Sequence, residues 1–336
     1  MSTLADKPLR VGTATAAPGT MTRGTIEVGG LAGGVAVSIP VVVIHGVRPG
    51  PVFWVNGAIH GDEPEGPRAI QLAMARIDPA ALSGAVVMVP VVNPLAFAAA
   101  ERGNPLDTFS YDMNRIYPGK PAGYYSERVA HAHWSAMKDV ADIEISIHSG
   151  GAHSFLDKAI FVDERPESVE LARAMGAGWG CIMSNFSTSG SPMAALNGAG
   201  KVGITVELGG RSATSPERFR HVAEELARSI LNICYHYRML PGTPTYPDPA
   251  WKGVQEALLA PASGIFLPEE GIEFLTMMKA GDPIARIVDV FGDTVGEITA
   301  PADGMFFGLR ALPNVTVGDW CCFFCKVEGR RDPQDS

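Results

Sequence analysis

Apolar residues recur along the chain in two spacings, one typical of buried strands and one typical of helices. Near-continuous apolar runs predict strands, because strands covered on both faces of a parallel sheet carry few polar positions. Apolar residues three and four positions apart predict helices. The predicted strands cover residues 52–59, 85–92, 143–147, 159–162 and 202–208, and the predicted helices cover residues 65–77, 125–140, 167–175 and 216–237. This alternation predicts an α/β fold with a mixed, mostly parallel sheet flanked by helices.

The pattern differs at both ends of this alternating region. Residues 24–28 and 34–44 are separated by glycine pairs and predict edge or entry strands. Residues 241–249 hold four prolines, which indicates a linker, and short strands and turns follow it. We therefore predict a larger α/β domain over residues 1–245 and a small all-β domain over residues 250–330.

An internal repeat lies within the predicted small domain. The sequence at 260–266, Ala-Pro-Ala-Ser-Gly-Ile-Phe, recurs as Ala-Pro-Ala-Asp-Gly-Met-Phe at 300–306. Such a duplication predicts two similar β units that close one sandwich or barrel, and it resembles the lipoyl carrier fold. That fold carries its cofactor on a lysine in the hairpin between the repeats. The turn here, at 291–293, is Phe-Gly-Asp, so we expect a structural or access-controlling role.

Composition and charge exclude several classes of protein. The 336 residues carry a formal net charge of -9, which argues against nucleic acid or an anionic membrane as the main partner. No apolar run reaches the length of a membrane span, and residues 1–10 lack the apolar segment of a signal peptide. Five cysteines without a paired framework suit a reducing compartment, so we predict a cytoplasmic protein. The cysteines at 321, 322 and 325 lie in an apolar run and are predicted to be buried in a strand. The oligomeric state stays open, a homo-oligomer included.

Two histidines and a glutamate lie where predicted strands end. His60 and Glu63 sit in the turn between a strand and a helix, and His148 directly follows the strand at 143–147. Ligands bind at the carboxyl ends of the strands in open α/β sheets. A catalytic zinc ion needs three protein ligands and one open position. These three residues are therefore candidate metal ligands, although each one alone is also compatible with an ordinary loop or helix-end residue; His153 is the alternative to His148.

Three further polar groups are candidates for the chemistry. Arg102 and Arg115 lie in a long loop after the strand at 85–92, and their guanidinium groups can hold a carboxylate or polarise a carbonyl. Solvated surface arginines are the alternative. Glu207 interrupts an apolar strand before a glycine pair, so it is either desolvated and functional or paired with an arginine such as Arg211. Burial would raise its pKa towards the range of a general base.

Taken together, these motifs resemble the succinylglutamate desuccinylase/aspartoacylase family, a branch of the zinc carboxypeptidase-like fold. The matching motifs occur in the family's order over about residues 50–210, and the C-terminal β region also resembles that family's. They are His60-Gly-Asp-Glu63, Asn93-Pro94, Asn114-Arg115 with Pro118-Gly119, His148-Ser-Gly, and Thr205-Val-Glu207. More narrowly, the run at 61–67 and the His-Ser-Gly-Gly at 148–151 resemble the ectoine-catabolic N-acetyl-diaminobutyrate deacetylases.

The resemblance implies a zinc-dependent amidohydrolase that acts on a small N-acyl amino acid. One Zn²⁺ would be held by His60, Glu63 and His148. The resemblance assigns Glu207 as the base and proton shuttle and Arg102 as the group that stabilises the oxyanion. It also assigns Asn114 and Arg115 to binding of a substrate carboxylate.

This chain departs from the family in one position that bears on the metal. The family has an aspartate two residues before the second histidine ligand, where this chain has Ser146. Glu144 or a backbone carbonyl is then the expected support of His148. Two alternative functions follow: a metallocarboxypeptidase that cuts a peptide or cell-wall fragment, and a catalytically inactive small-molecule binding protein on the same fold.

Overall fold

Strands and helices alternate through the first two thirds of the chain, and strands alone follow. The structure is a computed structural model that describes residues 7–107, 109, 111–184, 189–211 and 215–331. The strands are β1 Leu9–Val11, β2 Ala14–Ala16, β3 Thr20–Gly30, β4 Ala36–His45, β5 Arg48–Gly57, β6 Ser83–Val89, β7 Ile143–His148, β8 Ser154–Phe161, β9 Cys181–Met183, β10 Val202–Gly209, β11 Trp251–Leu259, β12 Gly264–Pro268, β13 Pro283–Val288, β14 Thr294–Thr299, β15 Gly304–Arg310, β16 Asn314–Val315 and β17 Trp320–Arg330. The helices are α1 Glu65–Met74, α2 Pro94–Ala99, α3 Tyr125–Met137, α4 Pro166–Arg173, α5 Pro192–Gly198 and α6 Pro216–His236, and a 3-10 turn covers Met113–Arg115.

An eleven-stranded mixed sheet organises the molecule, in the order β15-β17-β11-β9-β8-β10-β7-β5-β6-β4-β3. Its centre is parallel, because β5 pairs in parallel with both β6 and β7, and β7 pairs in parallel with β10. Antiparallel strands flank this centre on both sides, with β4 beside β6 and β8 beside β10. The predicted α/β class is confirmed.

Helices cover both faces of the parallel centre. On one face, Phe53 and Ile145 of the sheet pack in a core with Ile70 of α1 and Leu226 of α6. On the other face, Trp54 packs in a core with side chains of α3 and of β1 and β2. The alternation of neighbours along β5 between these two cores follows from the two-residue period of a strand. Among the described helices, none combines the length and apolarity needed to cross a bilayer.

The C-terminal strands are continuous with this sheet. β11 pairs with β9 and with β17, while β12, β13, β14 and β16 form a separate four-stranded sheet. β15 pairs with β17 on one side and with β8 on the other, so that β8, β9, β11, β17 and β15 close into a ring. The division into domains at 1–245 and 250–330 stays a prediction.

The repeat corresponds to two copies of one turn and strand. Each copy ends in a strand, β12 in the first and β15 in the second, but the first joins the small sheet and the second joins the large one. Side chains from both copies, Phe266 and Phe306, share one apolar core. Cys321, Cys322 and Cys325 are buried and free within β17, as predicted.

The joined sheet predicts how the protein unfolds. Because β11 is hydrogen-bonded to β9 of the larger region, we expect the two regions to unfold in a single cooperative transition. Differential scanning calorimetry checks this, with a calorimetric enthalpy equal to the van't Hoff enthalpy as the expected result. Two resolved transitions would instead support independent domains at 1–245 and 250–330.

Candidate metal centre and active site

The candidate residues converge at the carboxyl ends of three neighbouring parallel strands. His60 follows β5, His148 is the last residue of β7, and Glu207 lies near the end of β10. The register of β7 and β10 sets His148 directly beside Glu207. Residues paired in a parallel register point to the same face of a sheet, so both side chains reach the same space.

The backbone of the turn between β5 and α1 is constrained at two positions. Ala58 has a φ of 49°, which ends the strand. A Cβ atom at Gly61 would lie 2.0 Å from the carbonyl carbon of Ala96, so a side chain there would displace α2. This close approach holds His60 and Glu63 on either side of the glycine at a fixed separation.

His60, Glu63 and His148 form a compact buried cluster. One ligand atom from each lies within 4.8 Å of the others. His60 Nδ1 is 2.7 Å from Glu63 Oε1, His148 Nδ1 is 3.0 Å from Glu63 Oε2, and the two Nδ1 atoms are 3.2 Å apart. Ligand atoms bound tetrahedrally to zinc at about 2.1 Å are separated by roughly 3.4 Å. Two imidazole nitrogens and one carboxylate therefore fit a divalent metal ion with small adjustments.

The outer nitrogens of the two histidines bind groups that orient the rings. His60 Nε2 lies 3.0 Å from Asp112 Oδ1, and His148 Nε2 lies 3.2 Å from Ser146 Oγ. If Nε2 carries the proton and donates in each case, both Nδ1 lone pairs face the cluster. Metal-binding histidines are commonly fixed in this way through their second nitrogen.

Ser146 itself supports His148, in the position where the family has an aspartate. Its hydroxyl donates to Asn56 Oδ1 at 2.9 Å, and Asn56 Nδ2 donates to Glu144 Oε1 at 2.6 Å. The strand register explains this chain, because Asn56 pairs with Ser146 across β5 and β7. Glu144, one of the expected substitutes for the aspartate, thus reaches His148 only through two intervening side chains.

Glu144 is the buried carboxyl at the end of this chain of hydrogen-bonded side chains. Burial raises the pKa of Glu144 to about 8, although the hydrogen bond from Asn56 opposes the shift. Its Oε2 atom has no partner among the described residues. Gly203 on β10 makes room for it, since a Cβ there would lie 2.8 Å from this oxygen. Glu144 is therefore held neutral near pH 7.

Asp112 links four groups, and the sequence analysis gave it no role. Besides His60, its carboxylate accepts from Arg102 Nη2 at 3.0 Å and from the backbone N–H of Asn114 at 3.0 Å, and it lies 3.8 Å from Arg115 Nη2. An aspartate two residues before the asparagine of a short turn is a capping pattern, which was the available signal. Asp112 thereby ties the arginine loop to the histidine cluster.

Three carboxyl groups near the cluster ionise differently. Burial opposes the ionisation of Glu63, yet His60 and His148 outweigh it and hold the pKa of Glu63 well below its usual range. The hydrogen bond from His60 and the charge of Arg102 likewise outweigh partial burial and lower the pKa of Asp112. Burial, reinforced by the charge of Glu63, raises the pKa of Glu207 well above its usual range.

All of the predicted site residues except His148 line one cavity of about 300 Å³, and His148 adjoins it through its cluster with His60 and Glu63. Arg102 and Arg115 are 40% and 47% exposed, and Arg102 Nη1 lies 3.9 Å from Glu63 Oε1. Asn114 is buried, and its Oδ1 atom has no partner among the described residues. Glu207 Oε2 is likewise buried without a partner among them. His153, the alternative ligand, lines the cavity but is not in the cluster.

The Ser146 contact predicts an effect on metal affinity. In Ser146→Ala, His148 Nε2 loses its acceptor and the ring loses its restraint, so we expect metal affinity to fall about 10- to 100-fold. Competition with a chromophoric chelator measures this, with Ser135→Ala on the exposed face of α3 as the control. Unchanged affinity in Ser146→Ala would show that Ser146 does not support the metal site.

The pKa of Glu144 predicts a pH-dependent stability. Below pH 4.5 the carboxyl is protonated in both the folded and the unfolded states. Between pH 4.5 and 8 only the folded state keeps the proton. The free energy of unfolding therefore falls by about 1.4 kcal/mol for each unit of rising pH in this range. Glu144→Gln stays neutral, so its free energy of unfolding should rise relative to the native protein across this window. Urea titrations at several pH values check this, and parallel pH dependences would contradict it.

Comparisons with known proteins identify the family of the chain. Residues 49–233 match the model of the succinylglutamate desuccinylase/aspartoacylase catalytic domain. The N-alpha-acetyl-L-2,4-diaminobutyric acid deacetylase of Halomonas elongata is 30% identical over 310 residues, which cover 87% of this chain and 86% of the relative.

Solved structures show the same fold. A succinylglutamate desuccinylase/aspartoacylase from Rhodobacter sphaeroides is 25% identical with a TM-score of 0.78, over 95% of this chain and all of that one. A product-bound ectoine utilization protein from Ruegeria pomeroyi is 22% identical with a TM-score of 0.78, over 91% of this chain and 95% of that one. The family predicted from the ordered motifs is confirmed: the chain belongs to the succinylglutamate desuccinylase/aspartoacylase family of amidohydrolases.

Proposed function

We propose that this chain hydrolyses the amide bond of a small N-acyl amino acid, with one Zn²⁺ held by His60, Glu63 and His148. The observation that carries the proposal is Glu207, which lines the same cavity as His60 and Glu63 and whose buried Oε2 atom has no partner among the described residues. A buried carboxyl oxygen without a partner is costly for stability, so its retention suits a proton-transfer role.

The ligand set supports the choice of zinc. Two histidines and one glutamate are the protein ligands of several catalytic zinc sites. A zinc ion bound there would polarise the amide carbonyl and make a water molecule acidic near neutral pH.

Glu207 acts as the general base in this proposal. The raised pKa of Glu207 strengthens its affinity for a proton, so Oε2 takes one from the attacking water and returns it to the leaving nitrogen. The charges of Arg102 and Arg115 oppose the rise in the pKa of Glu207, and a bound cation would oppose it further.

Arg102 and Arg115 have separate roles in this proposal, one at the reacting carbonyl and one at the substrate carboxylate. Arg102 is anchored by Asp112 and directed towards Glu63, where its guanidinium can stabilise the oxyanion that forms at the carbonyl. Arg115, together with the buried amide of Asn114, offers donors for the carboxylate of the substrate. A cavity of about 300 Å³ suits a small acyl amino acid better than a peptide chain. The deacetylase activity in the name of the Halomonas elongata relative supports an acetyl group as the acyl part.

Replacing the base tests the assignment. Glu207→Gln keeps the size of the side chain and removes proton transfer, so we expect full zinc content and a fall in kcat of at least about 100-fold. Metal analysis and steady-state hydrolysis of an N-acetyl amino acid measure the two effects. The control is Glu297→Gln, an exposed change on β14 outside the cavity.

Two results would contradict the proposal. If Glu207→Gln keeps its activity, the base lies elsewhere. If the purified protein hydrolyses its substrate fully after chelation, the metal has no part in the reaction.

A further inference from the structure

Part of the cavity is lined by apolar side chains, in contrast to the polar groups around the histidine cluster. We define the aromatic wall as Leu156, Phe161, Phe307, Trp320 and Phe323, all of which line the cavity. Its rings contact one another in series. The ring centroids of Phe161 and Phe307 are 6.1 Å apart, those of Phe307 and Phe323 are 5.8 Å apart, and those of Phe323 and Trp320 are 4.4 Å apart.

The closed ring of strands builds this wall. Leu156 and Phe161 come from β8, Phe307 from β15, and the other two from β17. Gly308, which pairs with Leu156, permits the close packing, because a Cβ there would lie 2.6 Å from Leu156 Cδ2. The wall is therefore held by backbone hydrogen bonds and is present before any ligand binds.

Charge is absent from this side of the cavity as far as the described lining residues extend. Glu207 on β10 and side chains of the segments after β5 and α2 supply the charged lining groups, whereas β8, β11, β15 and β17 contribute only apolar or uncharged polar side chains. A substrate group that lies against the wall loses its water without gaining an ionic partner. For an ammonium group, a cation–π contact with these rings replaces only part of the lost hydration, whereas a hydrocarbon group gains from the burial.

The geometry points to a substrate whose group facing the wall is an uncharged aromatic or branched aliphatic side chain. This inference rests on the proposed function and narrows its substrate class. The ammonium of an N-acyl diamino acid would need a carboxylate beside it, and none of the described lining residues on β8, β11, β15 and β17 supplies one. Asp62 lies in the turn after β5, outside the wall, and its buried Oδ1 atom has no partner among the described residues, so it is the group that a competing ammonium would use.

A substrate panel tests the inference on the zinc-loaded protein. The panel comprises N-acetyl-phenylalanine, N-acetyl-leucine, N-acetyl-2,4-diaminobutyrate and N-acetyl-aspartate, with phenylacetyl-glycine to place the apolar group on the acyl side. We expect kcat/KM for the best apolar substrate to exceed that for the diaminobutyrate by at least about tenfold. Whether N-acetyl-phenylalanine or phenylacetyl-glycine is faster identifies the half of the substrate that meets the wall.

A variant of the wall supplies a second readout within one preparation. Phe323→Ala should lower the ratio of apolar to diaminobutyrate kcat/KM about tenfold, and Phe323→Leu should keep most of it. Phe291→Ala is the matched control, because Phe291 is 88% exposed at the turn between β13 and β14. The ratio is independent of how much of the preparation is folded.

Failure of this inference differs from failure of the proposed function. A preference for the diaminobutyrate or aspartate substrate, with zinc bound, would overturn the inference alone, and loss of diaminobutyrate hydrolysis in Asp62→Asn would then identify its partner. A Phe323→Ala variant with an unchanged ratio would also overturn it. Absence of zinc and of hydrolysis across the whole panel would overturn both.

Discussion

The parallel register of β5, β7 and β10 is the constraint on which the active site depends. It aligns Asn56 with Ser146, and His148 with Glu207, on one face of the sheet. A slip of one residue would turn these polar side chains to the opposite face, where they would meet hydrocarbon. The apolar cores on both faces therefore determine the positions of the polar side chains indirectly, because they permit only the register that brings these side chains together.

Much of the fold and the site could be read from the sequence, since both depend on local patterns. The strands at the centre were predicted because they are apolar and short. His60, Glu63, His148 and Glu207 were selected as candidates because each follows or interrupts such a strand. The structure brings these four side chains into one site.

Features that depend on pairing between distant segments could not be predicted. No local pattern indicates that β15 pairs with β8, about 150 positions earlier, or that the two copies of the repeat enter different sheets. The role of Ser146 was missed for a related reason, because its partner Asn56 lies on another strand. Asp112 was missed because its contacts with His60 and Arg102 form only when the loop folds over the sheet.

The ring formed by β15 separates the part of the site that performs the reaction from the part that meets the rest of the substrate. The proposed metal ligands and Glu207 belong to the parallel centre or to the loops that follow it, whereas the aromatic rings come from the ring of strands at one end of the sheet. Side chains of this ring can change in size while the hydrogen-bonded ladder and the histidine cluster stay where they are. A fold of this kind can acquire new substrates by exchanging a few side chains, without having to rebuild its catalytic apparatus.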